Sequence, residues 1–510
     1  MKKVIQTAVV CRKTDAAAVK ADVLAVGVFE KEPLGSLPRR LDGLLKGAVS
    51  EVQNLKDFKG KAQTTALLYT GGRIGAARLL LVGMGKKKKA NLDTFRKTAA
   101  AAASVSVDLK VSSLALAVEP DEFGTAASVE ELGRALAEGV YFGAYRYSEY
   151  RSEDPAEPQP TQLRVILADT DERRLRQLER GVRVGSILGK AQTYTRTIAN
   201  RPGNVLTPSA LATEAQKLAR SSRSLRCTVW DEKKLAAQKM GGILAVGKGS
   251  ANPPRLIVLR YNPPGRVSSS KPPLALIGKA ITFDSGGVSL KPSEGLQDMK
   301  FDKSGGAAVL GVMSAAAALK PRRVIYGIIP AAENMPSGTS YRPGDIVTTY
   351  SGKTVEIHST DAEGRMILCD ALAYAVRLGC SPVVDVATLT GACVVALGTQ
   401  RAGLMGNDEK VIEALRKASE QTGEQVWPMP CDEEYVEAVR SRIADLKNVG
   451  GKWGGACTAA AFLSEFVGKA RWAHLDIAGT GVWGAGEKEG PGSIGFGVRL
   501  LSWFVMNWNG

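Results

Sequence analysis

Within the stretch STDAEGR, residues 359–365, two carboxylates and a guanidinium occupy alternate positions: Asp361, Glu363 and Arg365. In an extended segment residues i, i+2 and i+4 project from one face, so an extended reading aims all three into a common space. Carboxylates that close repel one another unless cations stand between them, which makes a metal site an economical account. Taken alone, the pattern fits a surface cluster of salt bridges equally well. A second group lies upstream, in LIGKAITFDSGGVSLKPSEGLQDMKFDKSGG, residues 276–306. There the apolar strand LALIG ends at Lys279, and Asp284 follows in a Gly-rich turn. Lys291 comes next, and Asp302 stands just before a helix suggested by SGGAAVLGVMSAAAAL. Such α/β sheets place ligand sites at the carboxyl ends of their strands. The four carboxylates Asp284, Asp302, Asp361 and Glu363 carry the charge that two divalent cations would balance.

Other chemistries lack their residues. The chain has two histidines, His358 and His474, with no H-E-x-x-H and no G-x-S-x-G elbow. Each histidine sits in or beside an apolar run and reads as structural, so any hydrolytic centre is built on carboxylates. GTGVWG (479–484) resembles a dinucleotide fingerprint but is followed by the loop AGEKEGPGS rather than a helix. GSILGK (185–190) is one residue short of a phosphate loop and falls inside a predicted helix. The seven cysteines are scattered and never form a C-x-x-C pair. That argues for reduced thiols in the cytoplasm and against a thiolate zinc site.

The elements that must position these residues alternate along the chain. ADVLAVGVF, TALLYT, RLLLVGMG, SSLALAV and LRVILAD read as strands, with LDTFRKTAAAAASV and SVEELGRALAEGVYFGAYRY as helices between them. EYRSEDPAEPQPTQ (149–162) is a polar, Pro-rich surface loop. A long helical stretch runs to NRPGN, and beyond it RCTVWD, PRLIVLRY, PLALIGK, RRVIYGIIPA, SPVVDVATLTG and RWAHLDIAG read as further strands. The fold class is α/β in two domains: an N-terminal α/β domain over 1–170, a linker helix over 171–200 and a larger domain over 201–510. The larger domain is expected to hold a mixed central sheet flanked by helices.

Composition is that of a globular chain, 44% hydrophobic and 23% charged over 510 residues. No apolar run is long enough to span a bilayer. The start, MKKVIQTAVVCRK, reads as a first strand rather than a signal peptide. The net charge of +17 collects in GKKKKA, ERRLRQLERGVR and RSSRSLR. A basic excess suits nucleic acid or another anionic surface, or simply a solvated basic face.

TDAEGR, together with GKAITFDSGG, MKFD and DVATLTGA, resembles the cytosolic leucyl aminopeptidase family of dinuclear zinc or manganese exopeptidases. The resemblance is dense from about residue 200 onward. It implies that Lys279, Asp284, Asp302 and Glu363 hold the tighter metal, and that Asp284, Asp361 and Glu363 hold the more exchangeable one. Lys279 would ligate as a neutral amine, whereas Lys291 would stay charged and polarise the scissile carbonyl. Arg365 would hold a bicarbonate acting as general base. One metal would accept the free α-amine of the substrate, which makes the enzyme an exopeptidase. The side-chain pocket maps onto Met299, Thr388, Leu389, Gly391 and Ala478, which suits Leu- or Met-like first residues. The resemblance further implies a homohexamer acting on short peptides in the cytoplasm. Some bacterial members also bind DNA, so a DNA-binding regulator with a secondary peptidase site is the alternative, ahead of another dinuclear hydrolase. Ser359, Ala280, Lys303 and Gly481 depart from the family's usual residues, at positions that bear on specificity.

Overall fold

The β-rich runs of the first 170 residues pair into one six-stranded sheet. The structure is a computed structural model that describes residues 5–117, 127–152, 160–265, 271–482 and 492–509. Its first strands are β1 (Gln6–Lys13), β2 (Val23–Phe29), β3 (Thr65–Tyr69), β4 (Arg78–Gly85), β5 (Ser113–Ala117) and β6 (Gln162–Asp169). They stand in the order β1-β6-β5-β2-β4-β3, parallel except where β3 runs antiparallel to β4. Alternation along β4 builds both faces. Leu80 and Val82 enter one apolar cluster with Phe95 and Ala99, while Leu79 and Leu81 enter another with Leu41 and Phe58. Helices Leu92–Asp108 and Val129–Ala144 each begin at a capping box, Asn91 with Thr94 and Ser128 with Glu131.

The helix Glu172–Asn200 follows. The chain divides inside it into two compact units, Met1–Thr193 and Tyr194–Gly510. GSILGK lies within this helix, so it forms no phosphate loop. Half of the Pro-rich stretch (153–159), the last two residues of GTGVWG (483–484) and most of the loop after it (485–491) lie outside the described residues.

The second unit contributes β7 (Leu225–Trp230), β8 (Arg255–Tyr261), β9 (Leu274–Gly278), β10 (Ala280–Asp284), β11 (Ile325–Asn334), β12 (Ile346–Thr348), β13 (Thr354–Glu356), β14 (Val383–Ala387), β15 (Ala402–Gly406), β16 (Val426–Pro428), β17 (Leu446–Lys447) and β18 (Trp472–Asp476). Its main sheet runs β16-β15-β18-β14-β9-β11-β8-β7, with β10 also pairing β11, and β12-β13-β17 form a small separate sheet. The central strands β18, β14, β9 and β11 are mutually parallel, and β15 and β8 turn antiparallel on either side. This is the mixed sheet expected.

The central strands are apolar on both faces, as strands covered by helices on both sides must be. Leu274 and Leu276 of β9 meet Val309 and Leu310 of the helix Ser304–Leu319 within one core cluster. Ala275 and Ile277 join Ile367 and Leu368 of the helix Glu363–Arg377 in the other. Gly305 allows the first helix to approach β14, because a Cβ there would stand 2.1 Å from the Val386 carbonyl oxygen. Both helices therefore begin at the carboxyl edge of the parallel strands, with Asp302 and Glu363 at their amino ends.

Candidate active site

Two lysines and four carboxylates meet at that edge, delivered by four separate stretches of chain. Lys279 is the one residue between β9 and β10, and it is buried. Its Nζ donates to Asp302 Oδ1 at 2.7 Å, Glu363 Oε1 at 2.8 Å and the Thr388 carbonyl at 2.8 Å. Asp284 is not in a loose turn, as the glycines after it suggest. It is the last residue of β10, the short strand that continues β9 along β11. Its Oδ1 accepts from the Gly286 amide at 2.9 Å and Asn334 Nδ2 at 2.8 Å. Lys291 Nζ lies 3.0 Å from Asp284 Oδ2 and also pairs with Asp361 Oδ1. Asp302 Oδ1 takes a further bond from Thr388 Oγ1 at 2.7 Å.

The stretch 359–365 corrects the extended reading. Residues 360 and 361 form a turn, and Glu363 opens the helix that runs to Arg377. The three side chains are thus not projected from one extended face. Successive helical positions diverge by about 100°, so Glu363 and Arg365 point in different directions. Glu363 reaches Lys279, while Arg365 Nη1 donates to the Asn448 carbonyl at 2.6 Å. Ser359 turns its hydroxyl back to accept from the Asp361 amide at 3.2 Å. Thr360 is tied on several sides. Its carbonyl accepts from Asn334 Nδ2 and the Tyr341 hydroxyl, and its hydroxyl donates to the Gly286 carbonyl.

Burial and mutual repulsion strain this cluster electrostatically. Glu363 is pushed up by burial and then by Asp284, and Asp302 is pushed up by burial and by Asp284 against the pull of Lys279. Asp361 also rises, mainly through burial. Burial works against the Lys279 ammonium, but Asp302, Glu363 and Asp284 outweigh it and hold the charge. Lys291 rises in the same way, with Asp284 the chief opponent of burial. Burial brings Arg365 down to about 10, against the attraction of Glu363, Asp476 and Asp361, and it remains a cation at neutral pH.

Divalent cations fit the donor set. One ligand atom each from Asp284, Asp361 and Glu363 lies within 4.8 Å of the other two. Asp302 Oδ2 is buried without a hydrogen-bond partner. Carboxylate oxygens in such a group, with an amine beside them, suit zinc, manganese or magnesium.

The pocket residues are partly gathered. The Leu389 and Ala478 amides both donate to Asp476 Oδ1 at 3.1 Å. Gly481 lies so that a Cβ would stand 3.3 Å from Thr388 Cγ2. Met299 sits in the short helix Leu296–Phe301 that leads to Asp302, and Gly391 opens the helix Gly391–Leu397. Lys303 is fully buried, and its ammonium donates to the Arg201 carbonyl at 2.7 Å and to the Lys300 carbonyl; burial lowers it to about 7. Of the histidines, His474 is buried against Asp385 at 2.5 Å, and His358 pairs with Glu356 at 3.0 Å.

Sequence reading passed over Asn334, Tyr341, Asn448 and Asp476. A polar residue closing an apolar run marks two of them, since Asn334 ends β11 and Asp476 ends β18. Tyr341 and Asn448 lie outside the helices and strands and carry no such mark.

The profile of the "Cytosol aminopeptidase family, catalytic domain" matches residues 193–502, and that of the same family's N-terminal domain matches residues 25–154. A probable cytosol aminopeptidase of Chlorobaculum tepidum is 42% identical over 504 residues, covering 96% of this chain and 98% of that protein. One from Geobacter sulfurreducens is 43% identical over 490 residues, covering 96% and 97%. Among solved structures, a mutant of tomato leucine aminopeptidase superposes with a TM-score of 0.89 at 32% identity, covering 100% of this chain and 98% of that one. The bottromycin maturation enzyme BotP in complex with Mn superposes with a TM-score of 0.81 at 35% identity, covering 95% and 99%.

Proposed function

The chain belongs to the cytosol aminopeptidase family and is a peptidase hydrolase, and from that premise we propose that it removes the N-terminal residue of peptides at a two-metal centre. The ligands would be Lys279, through its amine, with Asp284, Asp302, Asp361 and Glu363. The observation that carries this reading is the convergence of Asp284, Asp361 and Glu363 within 4.8 Å, beside the unpartnered Asp302 Oδ2. When bound, such cations supply Lewis acidity and lower the pKa of water towards neutrality. BotP, solved with Mn, supports manganese as one candidate and zinc is the other.

The chain's own residues supply the rest. Lys291 holds a positive charge beside Asp284 and Asp361, where it would stabilise negative charge developing on the scissile carbonyl oxygen. Arg365 is buried, and its Nε has no hydrogen-bond partner, so it offers a donor for a bicarbonate that would take up the proton. Met299, Thr388, Leu389, Gly391 and Ala478 would surround the first side chain. They are apolar or small, which favours leucine and similar residues. A homohexamer and a cytoplasmic location follow from the same family reading. Light scattering on the 54.0 kDa chain measures the first.

Metal analysis of the purified protein, combined with a panel of aminoacyl amides, tests the reading. Activity on leucyl amide should vanish on chelation and return with zinc or manganese. Glu363→Ala should lose at least about a hundredfold in kcat/KM, since it removes a carboxylate from the centre of the site. Full activity in metal-free protein, or in Glu363→Ala, would sink the proposal. The net charge of +17 suits a solvated basic face and is also compatible with DNA binding as a second function. Gel shifts with the Glu363→Ala protein across a salt series should then show affinity falling steeply with salt.

A further inference from the structure

The turn that carries Asp361 and leads into Glu363 and Arg365 has no sheet or helix of its own over residues 357–362. Its backbone donors and acceptors must therefore be satisfied from elsewhere. Most of that work on residues 358 and 359 falls to one side chain nearly ninety positions on. Asn448 follows β17 and is fully buried. Its Oδ1 accepts from the His358 amide at 2.7 Å and the Ser359 amide at 3.3 Å, and its Nδ2 donates to the Ser359 carbonyl at 2.7 Å. The carboxamide thus serves Ser359 as a neighbouring strand would, engaging its N–H and C=O together. The main chain of Asn448 closes the arrangement. Its amide donates to the Glu356 carbonyl at 3.0 Å, and its carbonyl accepts from Arg365 Nη1 at 2.6 Å.

The geometry points to Asn448 as a positioning residue of the reaction, one that sets where Asp361 and Arg365 stand relative to the Lys279–Asp302 half of the site. The inference rests on the aminopeptidase reading above. The physical case is that one residue grips the turn at Ser359 and the guanidinium at Arg365, so a shift of either is a shift relative to a common fixed point. Ser359 in turn holds the Asp361 amide through its hydroxyl. Placement therefore passes from Asn448 through Ser359 to Asp361. Partners of this second layer commonly change metal affinity or activity by about 10–100-fold when removed. A displacement of about 1 Å at reacting groups can cost about a hundredfold.

The rival is that Asn448 merely stabilises a buried turn. Two variants and a control separate the two. Asn448→Asp is nearly isosteric and keeps the acceptor for both amides, but it sets an oxygen against the Ser359 carbonyl. Asn448→Ala removes every side-chain bond. The control is Glu424→Gln, which neutralises a buried carboxylate that accepts from the Gly497 and Leu500 amides and from Arg499 Nε, none of them a residue proposed for the site. For each protein kcat and KM on leucyl amide, thermal midpoint and metal retained against a graded chelator are measured.

Both Asn448 variants should lose about tenfold or more in kcat with KM changed by no more than about threefold. They should also release one metal at chelator concentrations about tenfold lower than wild type. Glu424→Gln, even with a comparable drop in thermal midpoint, should keep kcat within about twofold. Asn448 variants that lose no more activity and metal than the control does at the same midpoint would overturn the assignment. If Asn448→Ala does not fold, Asn448→Asp alone decides by the same criteria. A wild type with no metal-dependent activity would instead overturn the aminopeptidase reading on which the inference stands.

Discussion

At position 291 the chain holds an ammonium 3.0 Å from Asp284 Oδ2 and against Asp361, partly open to solvent where Lys279 is closed off. The two lysines thus have different tasks written into their exposure. Lys291→Ala should lower kcat by about 10²–10³ with a smaller change in KM, because it deletes a donor used chiefly as charge develops. Metal content measured alongside should stay near wild type, and an unchanged kcat would contradict the role. Asp370 lies seven residues beyond Glu363 and makes a separate statement about charge. It is buried, accepts from the Tyr350 amide at 2.7 Å and the Ile243 amide at 3.0 Å, and burial raises it from 3.8 to about 7. A carboxyl raised on folding holds its proton where the unfolded chain has released it. Stability is therefore greatest below the unfolded pKa, declines as pH rises through the window from about 4 to about 7, and levels off above. Asp370→Asn should abolish that component. The wild-type-minus-variant stability from urea melts should fall by on the order of 2–4 kcal/mol across the window. Equal differences at pH 4 and pH 8 would rule it out.

Among the elements, the helix Glu363–Arg377 does most to place the site, because it begins at Glu363 and packs Met366, Ile367 and Leu368 into the core beneath. Its second residue shows how closely it sits. A Cβ on Gly364 would stand 2.7 Å from Lys279 Cε and 2.8 Å from its Nζ. A flexible lysine usually yields to such a contact, but this one is buried and bonded to Asp302, Glu363 and Thr388. Alanine would favour the helix by up to about 1 kcal/mol over glycine. Displacing Lys279 should outweigh that gain. Gly364→Ala should therefore lower kcat/KM by about tenfold or more and weaken metal retention, even where the thermal midpoint rises. Wild-type kinetics in this variant would show that the lysine can move after all.

For the whole molecule, every proposed ligand lies in the unit Tyr194–Gly510. A ligand that binds only the folded state stabilises it by about 2.7 kcal/mol at a hundred times its Kd. Adding zinc or manganese should then slow amide hydrogen exchange around Lys279–Asp284 and Asp361–Arg365, and leave β2 and β4 of the first unit unchanged. Equal protection in both units would argue against a site confined to the second.

Residue types and local spacing were enough to mark the strands β1–β9, β11, β14 and β18, because buried strands read as short apolar runs closed by turn residues. The same reading singled out Asp284, Asp302, Asp361 and Glu363 as carboxylates that cations would balance, with Lys279, Lys291 and Arg365 beside them, and the family resemblance supplied the roles proposed for them. It missed β10 and the short strands β12, β13 and β15–β17, which are too brief, or too rich in glycine, for alternation to register. It also took Asp361, Glu363 and Arg365 as one extended face. Spacing cannot distinguish a strand from the first turn of a helix when the segment is only seven residues long. Only the tertiary structure decided that Glu363 faces Lys279 while Arg365 turns to Asn448. Those partners are separated along the chain by more than eighty residues, and what brings them together is the seating of the helix Glu363–Arg377 on β9 and the pairing of β17 with β13.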